Sequence, residues 1–580
     1  MSSKLVLIMS LTVVLVGMLG MAVRVQKVEA SGTIYIRADG SIEPLTVNIT
    51  SLDNTTYTFT DSNYDEIVVE RNDIIIDGND YTLQGSGAYD SKGIDLSSRS
   101  NVTVKDMTIR NFYDGIYLSS TNKATLINNS ITNNYNDGIR LTGSFNNTII
   151  GNNITNNDWQ GIVLGWSSNN SIAGNNITNN DWHGIELWGS SDNNVTANTF
   201  FNGGLIVYDS YGNVVFGNLV NDKPLVYLEG VENRSVEDAG QIILVNCNNI
   251  HMENLDLSHT DIGVQLCGTH NTTIIGNHIT ANNDDGIRLF DSSNYNSLFG
   301  NNVSANNGTG IFLFGSSNYN SVTGNNITNN MDGIFVFGSF NNTITANNIA
   351  NNEFGIRLGY CSSNNIYHNN LIDNTQQADL TESFDNVWDD GYPSGGNYWS
   401  NYNGTDLFHG SNQNITGSDG VGDSPYVIDY SNNDSYPLMA SITLFHAGTW
   451  NGTAHSVQTV SNSTISDFSF STIHRMVSFN VTGSEGIIGF SRVGIPKRLL
   501  YSPNPMNWVA RVNGTLVPFR VLEEIEGDYT YIYFTYSHSI LNVQIIGTEV
   551  ISEFPSLMIL PLFMMVTLLT AVIYRRKSKP

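Results

Sequence analysis

The sequence predicts an all-β chain: a right-handed parallel β-helix of about 23 residues per coil, a small antiparallel β-sandwich, and a C-terminal transmembrane helix. Three observations carry this reading. A Gly-Ile-x-Leu-like element recurs at Gly93, Gly115, Gly138, Gly161 and Gly184, and again at Gly263, Gly286, Gly310, Gly333 and Gly355. Within a period the text is almost copied, GNNITNNDWQGIVLGWSSNNSIA from Gly151 and GNNITNNDWHGIELWGSSDNNVT from Gly174. The repeat stops before residue 441, and the chain ends in an uncharged run, Ser556 to Tyr574, followed by Arg575-Arg576-Lys577.

Each period holds three short β-type pieces separated by turn residues. One is Gly-Ile-x-Leu; the second carries a β-branched residue such as Ile149, Ile172, Val195, Ile274, Val322 or Ile344. The third carries another (Ile154, Ile177, Ile279, Val303, Ile327, Ile349). Alternation within a piece sends apolar side chains to one face and polar ones to the other. A unit this short cannot bury its apolar face alone, but stacked copies form a continuous column. At roughly 4.8 Å per coil, about a dozen coils predict a single rod on the order of 60 Å long. Asn152, Asn175, Asn198, Asn301, Asn325 and Asn347 recur once per coil, as expected of amide ladders along the axis. Leucine-rich repeats share the period but need an LxxLxLxxN string and helical connections, which are absent.

Segment boundaries follow from where this text starts and stops. Residues 1–30 are expected to be a signal peptide: Lys4 precedes an apolar run from Leu5 to Val23, and small residues around Ala30 suit cleavage. A retained N-terminal anchor is the alternative. Residues 31–92 are expected to cap the rod and make its first coils, 93–375 to be the repeats, and 376–440, rich in aromatics, Asp and Gly, to cover the distal end. Alternating stretches such as Met476–Val481 and Tyr529–Phe534 predict a β-sandwich spacer over 441–548. Residues 549–580 are expected to anchor the chain, since about nineteen apolar residues suffice to span a bilayer and the basic tail stays inside. The bulk of the chain is therefore expected on the extracellular face of the cell membrane.

Composition narrows the partners. The 580 residues carry 53 acidic and 25 basic side chains, a net charge of −28, and only 13% are charged. So few Lys and Arg cannot neutralise a phosphate backbone, which excludes nucleic acid. Three cysteines are too few for a disulfide scaffold.

The 23-residue Asn/Gly-rich coil, Lys223-Pro224-Leu225-Val226-Tyr227-Leu228, Gly396-Asn397-Tyr398-Trp399-Ser400 and Asp423-Ser424-Pro425-Tyr426 together resemble the NosD-type β-helix family over roughly residues 31–440. That family is named for periplasmic proteins associated with copper delivery and overlaps carbohydrate-binding proteins and sugar hydrolases. The resemblance implies the scaffold more than any one chemistry. Glu553-Phe554-Pro555-Ser556 resembles the Pro-Glu-Phe-type sorting signals of archaeal surface proteins, with Ser552 where that pattern has Pro. Tyr533 to His538 also looks like archaeal surface modules.

Candidate binding residues lie on the outer face of the Gly-Ile-x-Leu sheet. The x position reads Tyr117, Arg140, Val163, Glu186, Arg288, Phe312, Phe335 and Arg357. Trp166, Trp188, Phe290, Phe314 and Phe337 lie just beyond it, while Asp137 and Asp285 precede the glycine. Aromatic faces flanked by Arg and carboxylates suit sugar rings and uronic acids; ladders that merely stabilise the rod are the competing explanation. A surface or extracellular polysaccharide is the expected partner, and binding or display, or a structural surface element, the expected function. A polysaccharide hydrolase or lyase is the first alternative, with Asp284-Asp285 and Asp389-Asp390 as acidic pairs. A copper-handling protein is the second, drawing on Cys247, His251, Cys267 and His270. Neither copper nor calcium is firmly indicated; for calcium the candidate is the loop Gly417–Asp423. Sequons abound, and Asn403, Asn451 and Asn513, outside the repeat, are the candidate glycosylation sites.

Overall fold

A computed structural model describes residues 32–450, 452–522 and 527–551. The expected signal peptide and C-terminal anchor therefore lie outside the described residues, as does Asn451. Among the described residues no helix is long and apolar enough to cross a membrane.

The coils form as the repeat requires. In one of them the strands Ile162–Gly165, Ser171–Ala173 and Asn176–Thr178 lie on three parallel sheets. Successive coils stack in register, Ile139 on Ile162 on Ile185, and these inward side chains are completely buried. The glycine before each Ile is dictated by space: a Cβ on Gly138 would sit 2.6 Å from the carbonyl oxygen of Gly161. Turns between strands place Asn156 and Asn179 in the left-handed region, which Asn tolerates better than most residues.

The buried asparagines form continuous ladders. Asn175 Oδ1 accepts from both the backbone N and the Nδ2 of Asn152 at 2.9 and 3.0 Å, and Asn175 Nδ2 donates to Ile149 O and to Asn198 Oδ1. Every polar atom of such an amide is used, which is what permits one to stand in the interior. A serine column, Ser144 to Ser167 to Ser190 to Ser210, runs beside it.

The single rod expected from the sequence is instead two stacks with separate cores. Residues from Ile34 to Val220 enclose the first, and Leu228 to Trp399 line the second. They share one 15-stranded sheet that changes direction midway. The reversal is a two-residue hairpin, Asn221 and Asp222, both at positive φ, joining the antiparallel pair Leu219–Val220 and Lys223–Glu229. A coil that keeps its right hand and its direction of advance, while its strand direction reverses, must place its interior on the opposite face of that sheet. The side chains obey this. Leu225, Ile243, Val245, Cys267 and Phe290 close the end of the first core, while their neighbours Ile242, Leu244, Val264 and Leu266 line the second. Nothing in the local text signals the change, because both faces of these strands are apolar.

Caps close both ends. Ile42–Glu43 pairs antiparallel on Ile34–Ile36. At the distal end Trp388 and Trp399 are buried, Trp399 Nε1 donates to Asp434 at 2.8 Å, and Tyr426 stacks on Trp399 at 4.1 Å. Beyond lie two five-stranded antiparallel sheets sharing one core, Val457, Val493, Ile532 and Phe534 facing Val477, Phe479, Val543 and Ile545. This unit touches the solenoid directly. Asn370 exchanges two hydrogen bonds with the backbone of Ile442, and Ser394 of the distal cap meets the Tyr531 hydroxyl at 3.1 Å through its Oγ and accepts from Arg492 Nη1 at 3.4 Å through its carbonyl.

Candidate functional site

The outer face of the first Gly-Ile-x-Leu sheet brings the expected column together. Tyr117, Arg140, Val163 and Glu186 stand in register, one per coil. Copying of the repeat flanks this column with two tryptophan pairs. Trp166 and Trp188 lie 4.8 Å apart on one side and Trp159 and Trp182 4.7 Å apart on the other. All four are 41–57% exposed, a large apolar area left open to solvent. Only Trp166 and Trp188 closely follow the Gly-Ile-x-Leu element. The second pair was legible as the repeated Asp-Trp before the glycine.

The sheet ends at Leu205–Tyr208, whose free edge is met by side chains of the second stack rather than by another strand. Gln241 exchanges two 2.9 Å hydrogen bonds with Leu205, and Gln265 bonds Val207 through both amide atoms at 2.8 and 3.3 Å. Two buried glutamines thus satisfy backbone groups that would otherwise be orphaned.

Where the two outer faces meet, charged groups from both stacks converge. His183 Nδ1 lies 3.3 Å from Glu186 Oε2, and its Nε2 lies 3.7 Å from Asp284 Oδ2, an ion-pair separation with no closer partner. Arg288 binds Asp284 and Asp285, each at 2.6 Å, and donates to the Tyr208 hydroxyl. Gln160 donates to Glu186 at 2.7 Å, and the buried Asp261 accepts from Gly184 N at 2.9 Å. Burial alone would lower the His183 pKa, but Asp284 and Glu186 outweigh it and push it up to about 9. Burial raises Asp261 and Asp285 to about 6 against the pull of His183 and Arg288 respectively. For Asp284 and Glu186 burial is overcome, by Arg288 and His183 in the first and by His183 in the second, and both stay below the usual range. The corner thus gathers two basic groups, His183 and Arg288, against four carboxyl groups, Glu186, Asp261, Asp284 and Asp285. Of these residues His183, Tyr208 and Asp261 were not anticipated; each depends on contact between the two stacks, which the periodicity conceals.

The other candidates are dispersed. Asp137 is fully buried, binds Arg140 at 2.8 Å, and is raised to about 7 by burial and by Asp114. Phe290 is buried at the joint against Tyr208, so it is no part of an exposed column. On the second face Phe312 and Phe335 stack at 4.9 Å, and Phe314 and Phe337 lie 5.7 Å apart. The Arg357 guanidinium is 5.1 Å from Phe335 and binds Asp379 at 3.2 Å.

The copper candidates do not converge. Cys247 heads the corresponding hydroxyl column of the second stack, Cys247 to Thr269 to Ser293, with its N bonded to Thr269 Oγ1 and its thiol donating to Leu228 O. Cys267 pairs instead with Val245 and donates to Asp291, so the two cysteines are not stacked and both are free thiols. Burial raises both thiol pKa values, opposite to what a thiolate ligand requires. His251 contacts Glu253, and His270 Nδ1 accepts from Asn294 N. In the calcium candidate loop, Asp423 already accepts from Thr405, Leu407 and Phe408, and Asp419 from Val421. Among the described residues no group of three or more acidic, His or Cys side chains could hold a metal ion. The residues present do not fit copper. Asp389 and Asp390 serve the distal cap, accepting from Ser435 N and Ser394 Oγ. Asn403 and Asn513 are exposed.

Comparison with known proteins agrees with the solenoid. Residues 92–233 match the family described as right handed beta helix region, and residues 205–404 match periplasmic copper-binding protein (NosD). Together these support placing the repeat region in the right-handed β-helix repeat family. The chain is also similar to solved structures of the periplasmic alginate epimerase AlgG (13% identity, 59% of this chain and 80% of that one, TM-score 0.24). Two others are the A-module of an Azotobacter vinelandii mannuronan C-5 epimerase (13%, 58% and 81%, 0.23) and the Dettilon tailspike protein (13%, 83% and 87%, 0.22). At these scores the likenesses carry no functional argument. No curated protein matches the chain.

Proposed function

We propose that this protein binds an extended polysaccharide along the outer Gly-Ile-x-Leu face and into the corner between the two stacks. The observation that carries the proposal is the pair of exposed tryptophan ladders, Trp159–Trp182 and Trp166–Trp188, bracketing the polar strip of Arg140 and Glu186. Sugar rings present CH faces to aromatic planes and hydroxyls to charged side chains. Display of this face outside the cell, anchored through residues 549–580 and carrying glycans at Asn403 and Asn513, belongs to the same proposal. Membrane fractionation of the full chain tests it. Retardation of the full chain in polysaccharide-containing gels, weakened by Trp182→Ala and Trp188→Ala, tests binding; unchanged mobility in every polymer would refute it.

A polysaccharide-active enzyme is the second reading. It is favoured by His183, a buried imidazole between Glu186 and Asp284, because an imidazole held between carboxylates can act in proton transfer. New reducing ends or unsaturated products, lost in His183→Gln, would establish it.

A further inference from the structure

Each cation of the candidate face already faces a carboxylate of its own chain. Arg140 binds Asp137 at 2.8 Å; Arg288 binds Asp284 and Asp285 at 2.6 Å and the Tyr208 hydroxyl; Arg357 binds Asp379 at 3.2 Å and approaches Asp332 at 3.8 Å. Lys92, at the head of the same sheet, lies 3.5 Å from Asp95 and over the Tyr117 ring. Recognition of a uronate needs a guanidinium fork or ammonium free to meet the sugar carboxylate, and each one here faces a carboxylate of its own chain. Acceptors, by contrast, are in surplus. Glu186 and Asp284 are 15% and 19% exposed beside the Trp182 ring system, and both named contacts of Glu186, from Gln160 and His183, fall on Oε2, leaving Oε1 for a ligand. The field of the whole chain, net −28, has the same sign.

From this, and resting on the binding proposal above, we infer that the face takes a polysaccharide without negative charge, neutral or amino-bearing, and rejects polyuronates. The corner offers carboxylate acceptors for hydroxyl and ammonium groups, the tryptophan ladders offer flat apolar surface, and no unpaired cation answers a sugar carboxylate. By residue type alone Arg140, Arg288 and Arg357 suit uronic acids. The partners reverse that expectation.

The experiment is gel retardation of the full chain at physiological salt in three polymers: hydroxyethyl cellulose, chitosan and polygalacturonate. Retardation by the neutral or amino polymer, with polygalacturonate inert, is the expected result. Glu186→Gln with Asp284→Asn should abolish any preference for chitosan over the neutral polymer, whereas Asp467→Asn, an exposed acid in the sandwich, should leave it unchanged. Two further variants each release one arginine by isosteric changes, Asp137→Asn for Arg140 and Asp332→Asn with Asp379→Asn for Arg357. They should create polygalacturonate retardation, by about tenfold in apparent affinity for one charge-assisted pair. Equal or stronger retardation of the wild-type chain by polygalacturonate would overturn the inference while leaving binding intact. Absence of retardation in all three would overturn both. Polygalacturonate inertness in both released variants, with circular dichroism unchanged, would show that arginine pairing is not the reason and would also overturn it.

Discussion

Adjacent asparagines in one coil should differ sharply in what they contribute. Asn175 is buried and Asn176, on the same strand edge, is exposed. Replacing Asn175 with Ala removes four hydrogen bonds: two received from Asn152 and two given to Ile149 O and Asn198 Oδ1. Left behind are the backbone N–H of Asn152, one N–H of its amide, and the carbonyl of Ile149, with no room for water in a stacked core. At about 1–3 kcal/mol per stranded group, and with some relaxation, Asn175→Ala should cost about 3–6 kcal/mol. That is a large share of the roughly 5–15 kcal/mol that holds a typical domain. Asn176→Ala loses an exposed contact with Asn153 and should stay within about 0.5 kcal/mol of wild type. Urea unfolding of the full chain, followed by tryptophan fluorescence, reads the right region, since Trp159, Trp166, Trp182 and Trp188 are half of the eight tryptophans. Repeat arrays can unfold in stages, so the first transition is the one to compare. Equal midpoints for the two variants would refute the idea that the ladders, and not the aliphatic column alone, hold the coils in register.

His183 makes stability pH-dependent with a defined sign. Its folded pKa is raised, so its contribution is complete below about pH 6.5 and is lost as pH climbs through about 9, a change of about 3 kcal/mol. Thermal melts should show this alkaline loss in wild type and not in His183→Gln; identical profiles would refute the assignment. Trp182→Ala should weaken polysaccharide retardation by about five- to tenfold without moving the urea midpoint. Gln265→Ala strips two hydrogen bonds from Val207 and should cost about 1–3 kcal/mol in the first unfolding transition. Cys247→Ser should stay within about 1 kcal/mol, because serine occupies the same column at Ser293, and should leave copper retention after dialysis unchanged from wild type.

The repeat was legible because stacking imposes one requirement on every coil. An inward Ile at 139, 162 and 185, a glycine where a neighbouring carbonyl passes, and an Asn where the chain turns all recur at one spacing, and all occupy the places that spacing assigns. Pairing partners were not legible. Arg140 and Asp137 are three residues apart and could be matched by eye, but Tyr208 with Arg288 and His183 with Asp284 are separated by the whole reversal. Gln241 and Gln265 illustrate the same limit. As sequence Gln241 opens an apolar strand and Gln265 interrupts one; in the structure they are the groups that finish the sheet their own strands do not extend.

The hairpin at Asn221–Asp222 therefore does more than connect two stacks. Because it moves the second core to the other face of the shared sheet, the surface that lines the first core becomes, a few strands later, the outer surface bearing Arg288, Phe312 and Phe335. The first outer face, bearing Glu186 and the tryptophans, abuts that surface at an inner corner instead of continuing as a flat wall. A β-helix without the reversal would carry the same residue types in one straight column, with each Asp paired only to the Arg of its own coil. The excess of carboxyl groups where Glu186, Asp261, Asp284 and Asp285 surround His183 and Arg288 arises because two such columns are brought together at their ends. Specificity on this face is accordingly a property of the joint, and substitutions that straighten or loosen the joint should alter ligand choice even when every tryptophan remains in place.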